Sequence, residues 1–222
     1  MPVAERARSG PHAGQPVQRA GEPLEQARAA LILLHGRGAT AGSILALASE
    51  IGRDGFAYLA PQAAGHTWYP YPFTAPLAAN EPFLSSALAL VESVVAEVME
   101  AGIPAGRIAL AGFSQGACLA LEHAARHARR YGGVLAFSGG LIGPDDAPRD
   151  YAGALGGTPV FIGCGDRDAH IPLPRVQHSA DVLARLGGAV TRRIYPGMGH
   201  TINEDELSFA RALLSELVSD EV

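Results

Sequence analysis

Apolar and polar positions along the 222-residue chain follow two rhythms. Short, nearly continuous apolar runs occupy residues 30–34, 56–60, 107–113, 133–138, 159–164 and 190–195, the form taken by strands buried on both faces of a sheet. A further edge strand is read near residues 16–20. Between these runs lie longer stretches with a helical period. The clearest covers residues 81–101, where Leu84, Leu88, Val91, Val95 and Val98 form one apolar stripe. Gly102 and Pro104 close it. Helices are also predicted over residues 41–51, 115–129, 174–186 and 205–218, the last capped by Asn203 with Glu206 completing a capping box. Strands alternating with helices specify an α/β fold, a mostly parallel sheet with helices on both faces. Residues 1–15 mix charge, Gly and Pro without an apolar period and read as a flexible arm. That leaves residues 16–222 as a single domain, with no room for a large lid.

Charge and composition then narrow the chemistry. All 17 basic residues are arginine, against 22 acidic ones, for a net charge of −5. Without lysine there is no Schiff-base chemistry, no pyridoxal phosphate anchor and no P-loop contact to a nucleotide phosphate. The absence of any basic run argues against nucleic acid and against a polybasic membrane patch. Cys118 and Cys164 lie in apolar segments without metal-ligand spacing, so both read as buried thiols of a reducing compartment, with a disulfide between them left open. No run resembles a signal peptide or a membrane span, which makes the cytoplasm the default location.

The sharpest chemical signal is Gly112-Phe113-Ser114-Gln115-Gly116, a G-x-S-x-G between a predicted strand and a predicted helix. Such a turn lifts a serine hydroxyl clear of the sheet and sets it against a helix N-terminus, whose free N–H groups suit a developing oxyanion. A serine nucleophile needs a base, and the base an orienting acid. Nucleophile-elbow hydrolases supply them in the order Ser, Asp, His, each after a strand. Here the strand ending at Cys164 is followed by Asp166 and Asp168, and the last strand by Gly199-His200.

Position removes most of the eight histidines as the base. His12 lies in the arm and His178 in a helix. His123 and His127 lack the H-E-x-x-H pattern, so a solvated helix face is expected there rather than zinc. His66 and His170 sit on loops that could border the site. Only His200 follows the final strand and precedes a capped helix. Asp168 is favoured over Asp166 because it lies further past the strand end, whereas Asp166 is placed to bond N–H groups of its own turn.

Leu33-Leu34-His35-Gly36-Arg37-Gly38 ends the first long strand and is the loop from which a second oxyanion N–H comes. The backbone N–H groups of Arg37 and Gln115 are the expected pair, and Arg37 is the one arginine whose charge could reach substrate. Trp68, Tyr69, Tyr71 and Phe73 cluster in a long aperiodic connection, read as a hydrophobic wall for an acyl or aryl group. A satellite core under a long loop is the alternative.

Together, Leu34-His35-Gly36 with Gly38, Ala60-Pro61-Gln62, the Ser114 pentapeptide, Gly165-Asp166-Arg167-Asp168 with Ile171-Pro172, and Gly199-His200 resemble the phospholipase/carboxylesterase family of α/β-hydrolases. The group includes bacterial carboxylesterases and acyl-protein thioesterases. The resemblance runs from about residue 16 to the C-terminus. It implies an α/β-hydrolase fold, a serine esterase with Ser114 as nucleophile, Asp168 as acid and His200 as base, and no cofactor or metal. The chain departs from the thioesterase pattern, which usually has leucine where Arg37 stands and an acidic residue soon after the tryptophan. The implied partner is therefore a small to medium acyl ester, as in the bacterial branch, and a homodimer is left open. The alternatives are thioester or lysophospholipid hydrolysis by the same triad, a dienelactone-hydrolase relative in which cysteine replaces Ser114, and a non-catalytic ligand-binding module.

Overall fold

A computed structural model describes residues 9–219. Seven strands form one sheet in the order β1-β3-β2-β4-β5-β6-β7. They are β1 (Val17–Gly21), β2 (Ala29–Leu34), β3 (Phe56–Pro61), β4 (Ile108–Phe113), β5 (Gly133–Phe137), β6 (Pro159–Gly165) and β7 (Ala189–Tyr195). β1 pairs antiparallel with β3 and every other pairing is parallel. The chain therefore leaves β2, β4, β6 and β7 at the same edge, where ligands of open α/β sheets gather.

Among the described residues five α-helices cover the sheet: α1 (Ala41–Ile51), α2 (Phe83–Glu100), α3 (Gln115–Arg126), α4 (Leu173–Arg185) and α5 (Glu204–Val218). Alternation along the strands divides the core in two. Ala30, Ile32 and Leu34 of β2 face the cluster that includes residues of α2, α3 and α4, while Ala29, Leu31 and Leu33 face that of α1 and α5. This double burial explains the continuous apolar runs. β7, at the sheet edge, is only partly buried and keeps the polar Thr191, Arg192 and Arg193. On α2 the five residues of the predicted stripe are all buried, and Asn203 with Glu206 forms the capping box of α5. No helix among the described residues is long and apolar enough to cross a membrane.

Two expectations give way here. Residues 1–8 of the expected arm lie outside the described residues, but His12 is buried. Its ring bonds the Trp68 carbonyl through Nε2 at 2.9 Å and accepts the Ala64 N–H at Nδ1 at 3.0 Å. Single polar contacts of this kind leave no periodic trace in a sequence. The helix after Ser114 ends at Arg126 rather than residue 129, and His123 does not face solvent, while His127, which caps the helix, is partly exposed. His123 is fully buried, beside Glu92 of α2.

Candidate active site

Ser114 caps β4 with φ 56° and ψ −118°, a left-handed conformation that a serine adopts only under constraint from its surroundings. The flanking glycines are part of that constraint. A Cβ on Gly112 would collide with the backbone of Gly116, and one on Gly116 with the Leu34 carbonyl, so β2, β4 and α3 approach closely only because both lack side chains.

The turn after β7 carries His200, whose Nε2 lies 2.8 Å from Ser114 Oγ and whose Nδ1 lies 2.7 Å from Asp168 Oδ2. The structure thus brings Ser114, His200 and Asp168 into one hydrogen-bonded chain. Asp168 is held from both ends. Its Oδ1 accepts the N–H groups of His170 and Ile171 at 2.8 and 3.0 Å, and the Cys164 thiol approaches Oδ2 at 3.6 Å. Burial alone would raise its pKa, but the bonds from His200, His170 and Ile171 outweigh burial and hold the carboxyl below its ordinary value. Asp166 makes no such contact. Its Oδ1 accepts the Gly197 N–H at 2.7 Å and ties the turn that presents His200. His200 is further fixed by the Phe113 ring at 4.8 Å and by the edge of His170 at 4.7 Å between centroids.

These groups open into a cavity of about 780 Å³, within the range of small-molecule sites. Ile44, Phe73, Phe113 and Ile171 give it apolar walls, and Arg37 and Gln115 border it beside Ser114. Among the described residues no carbonyl accepts from the backbone N–H of either.

Their side chains have a different task. The Arg37 guanidinium donates to the carbonyls of Pro70, Tyr69 and Tyr71 at 2.9, 2.9 and 3.0 Å. Gln115 accepts the Trp68 N–H at 2.9 Å and donates to the Tyr69 carbonyl at 2.8 Å. Arg37 therefore spends its hydrogen bonds on the aromatic segment rather than on a ligand.

That segment divides. Tyr69 and Phe73 line the cavity. Trp68 is fully buried behind it, its indole N–H donated to the His35 carbonyl at 2.8 Å, and Tyr71 is exposed. Trp68 thus holds the β2 exit loop, and the satellite-core alternative describes it better than a substrate wall. Of the two loop histidines, His170 lines the cavity, while His66 is exposed and bonds the Ala39 carbonyl. Ser43 and Ile44 at the start of α1 also reach the cavity. No motif singled them out, because the local pattern reads only as an amphipathic helix start. Both cysteines are free and buried, and burial pushes each thiol up to about 12.

The model of the phospholipase/carboxylesterase family matches residues 17–218. The chain belongs to that family. It is a carboxylic ester hydrolase of the serine-hydrolase type. Among its relatives, acyl-protein thioesterase 1 of Debaryomyces hansenii is 28% identical over 91% of this chain and 97% of its own length. Acyl-protein thioesterase 1 of Gibberella zeae is 33% identical over 55% of this chain, a match that spans about half of that enzyme, 53%. Among solved structures, a phospholipase/carboxylesterase of Dyadobacter fermentans superposes with a TM-score of 0.89 at 46% identity, covering 93% of this chain and 99% of that one. The family's α/β-hydrolase architecture is the sheet and helices described above.

Proposed function

We propose that the protein is a serine carboxylesterase of small to medium acyl esters, with Ser114, His200 and Asp168 as its catalytic triad. The observation that carries this reading is the chain of hydrogen bonds from Ser114 Oγ through His200 to Asp168 at the floor of an apolar cavity. His200 Nε2 takes the Ser114 proton as Oγ attacks the ester carbonyl. Asp168 holds the imidazole by Nδ1 and stabilises its cation. The backbone N–H groups of Arg37 and Gln115 receive the oxyanion. Collapse of the tetrahedral intermediate expels the alcohol, which takes the proton from His200 and leaves an acyl-Ser114 ester. Water, deprotonated by His200, then releases the acid and restores the serine. Every proton moves between named groups.

The acyl-length limit rests on the cavity wall. Tyr69 and Phe73 close one side, and Arg37 and Gln115 tie the segment between them to the site by its backbone. A wall clamped in this way favours a bounded acyl pocket. Thioester hydrolysis is the second reading, favoured by the two thioesterase relatives. Turnover of p-nitrophenyl esters from two to sixteen acyl carbons, with a matched thioester series, separates them. kcat/KM should peak at eight carbons or fewer and be at least as high for the ester as for the thioester. A steady rise to sixteen carbons with thioester preference would replace the carboxylesterase reading by the second.

A further inference from the structure

Away from the cavity, three side chains with metal-ligand chemistry meet between α2 and α3. His127 caps the C-terminus of α3 four positions after His123, and the two imidazoles stack with ring centroids 4.7 Å apart. Glu92 reaches them from α2. Its Oε2 lies 3.3 Å from His123 Nε2 and 3.7 Å from His127 Nδ1, and the three ligand atoms all lie within 4.8 Å of one another. In a tetrahedral zinc site with bonds of 2.0–2.2 Å, neighbouring ligand atoms stand roughly 3.3 Å apart. The two separations to Glu92 are already close to that value.

The hydrogen bonds around the cluster leave these atoms facing one another. His123 is fully buried, and its Nδ1 is turned toward the Leu88 carbonyl without closing a well-formed bond. Nε2 is the ring nitrogen that faces Glu92, so a metal ion bound there takes the place of the proton between them. Glu92 Oε2 is itself buried and has no hydrogen bond beyond this contact. The Tyr131 hydroxyl, 3.4 Å from Nε2, donates instead to the His127 carbonyl at 3.0 Å. Arg129 donates to the other carboxylate oxygen, Oε1, at 2.6 Å, which orients Oε2 and leaves it available, as outer partners of ligating carboxylates do.

We propose that Glu92, His123 and His127 bind a divalent transition-metal ion of the zinc type, which braces α2 against α3. Two imidazoles and one carboxylate suit Zn²⁺, Co²⁺ or Ni²⁺ and not Mg²⁺ or Ca²⁺, which take oxygen ligands. His127, 23% exposed, gives the ion a path and a water its fourth position. His123 is nine residues along the chain from Ser114, about 13 Å by helical rise, so this site is separate from the esterase centre.

Chelator-treated protein titrated with Zn²⁺ by calorimetry, with Tm followed in parallel, tests this. The titration is also run on His200→Ala, so that zinc taken up beside Asp168 is not counted. The expected result in both proteins is an equivalent bound with Kd of about 10 μM or tighter. Tm should rise by roughly 5 °C at a hundredfold excess over Kd, and Mg²⁺ should have no effect. His127→Gln, at a half-buried position, and Glu92→Gln should each weaken binding at least thirtyfold. No zinc uptake by His200→Ala, or wild-type affinity in both His127→Gln and Glu92→Gln, would overturn the proposal.

Discussion

Asp168 and Glu92 are both carboxylates set against imidazoles, and both are held below their ordinary pKa. Their surroundings differ in one respect that decides the chemistry. The imidazole on Asp168 has its far nitrogen 2.8 Å from a serine hydroxyl that opens into a cavity. Beside the imidazoles on Glu92, the Tyr131 hydroxyl lies 3.4 Å from His123 Nε2 but donates to a backbone carbonyl. The first cluster can pass a proton to a reacting atom, whereas the second turns its three ligand atoms toward one another. A third buried carboxylate, Glu206, accepts one backbone N–H, that of Asn203, and burial pushes it up to about 7. Residue type alone separates none of these three.

The largest effects are expected at the serine end. Ser114→Ala or His200→Ala should lower kcat by about 10⁴-fold or more with the far-ultraviolet circular dichroism unchanged. Asp168→Asn should cost on the order of 10⁴-fold, while Asp166→Asn, which loosens only the Gly197 turn, should cost less than about tenfold. Steady-state kinetics of the pair distinguishes them, and the reverse order would move the acid to Asp166. Arg37→Ala keeps the backbone N–H but frees three carbonyls of the cavity wall. It should lower kcat/KM roughly tenfold, chiefly through KM, and broaden the acyl-length profile.

On the other side of the comparison, His127→Gln should leave kcat within about twofold of wild type in the same ester assay. Glu206 gives the smallest effect and the clearest sign. Its folded pKa of about 7 exceeds the ordinary 4.5, so the folded state binds this proton more tightly than the unfolded one. Stability contributed by that proton is complete below about 4.5 and is lost as pH rises through 7. Glu206→Gln, which keeps the acceptor for the Asn203 N–H, should therefore be more stable than wild type at pH 8, by about 1–3 kcal/mol. The gap should shrink toward pH 5 in thermal melts.

The strands and the elbow were legible because they obey local rules. A strand buried on both faces must be apolar throughout, as β2, β4 and β5 are. A serine pressed between β2, β4 and α3 must have glycine two positions away on each side. The spacing of Asp168 and His200 after their strands followed from parallel topology alone. Contacts across the fold left no such trace. The division of the aromatic segment depends on which carbonyls Arg37 and Gln115 reach, at separations of more than thirty residues. His12 sits in a stretch with no apolar period, yet two ring nitrogens anchor it. The burial of His123 requires Glu92, thirty-one residues earlier on another helix.

An activated Ser114 nucleophile should react with a fluorophosphonate probe. One covalent adduct per chain is expected, mapped by peptide mass spectrometry to Ser114. The adduct should be absent from Ser114→Ala and form at least a hundredfold more slowly in His200→Ala. No adduct on the active wild-type protein, or an adduct that persists in Ser114→Ala, would contradict Ser114 as the nucleophile.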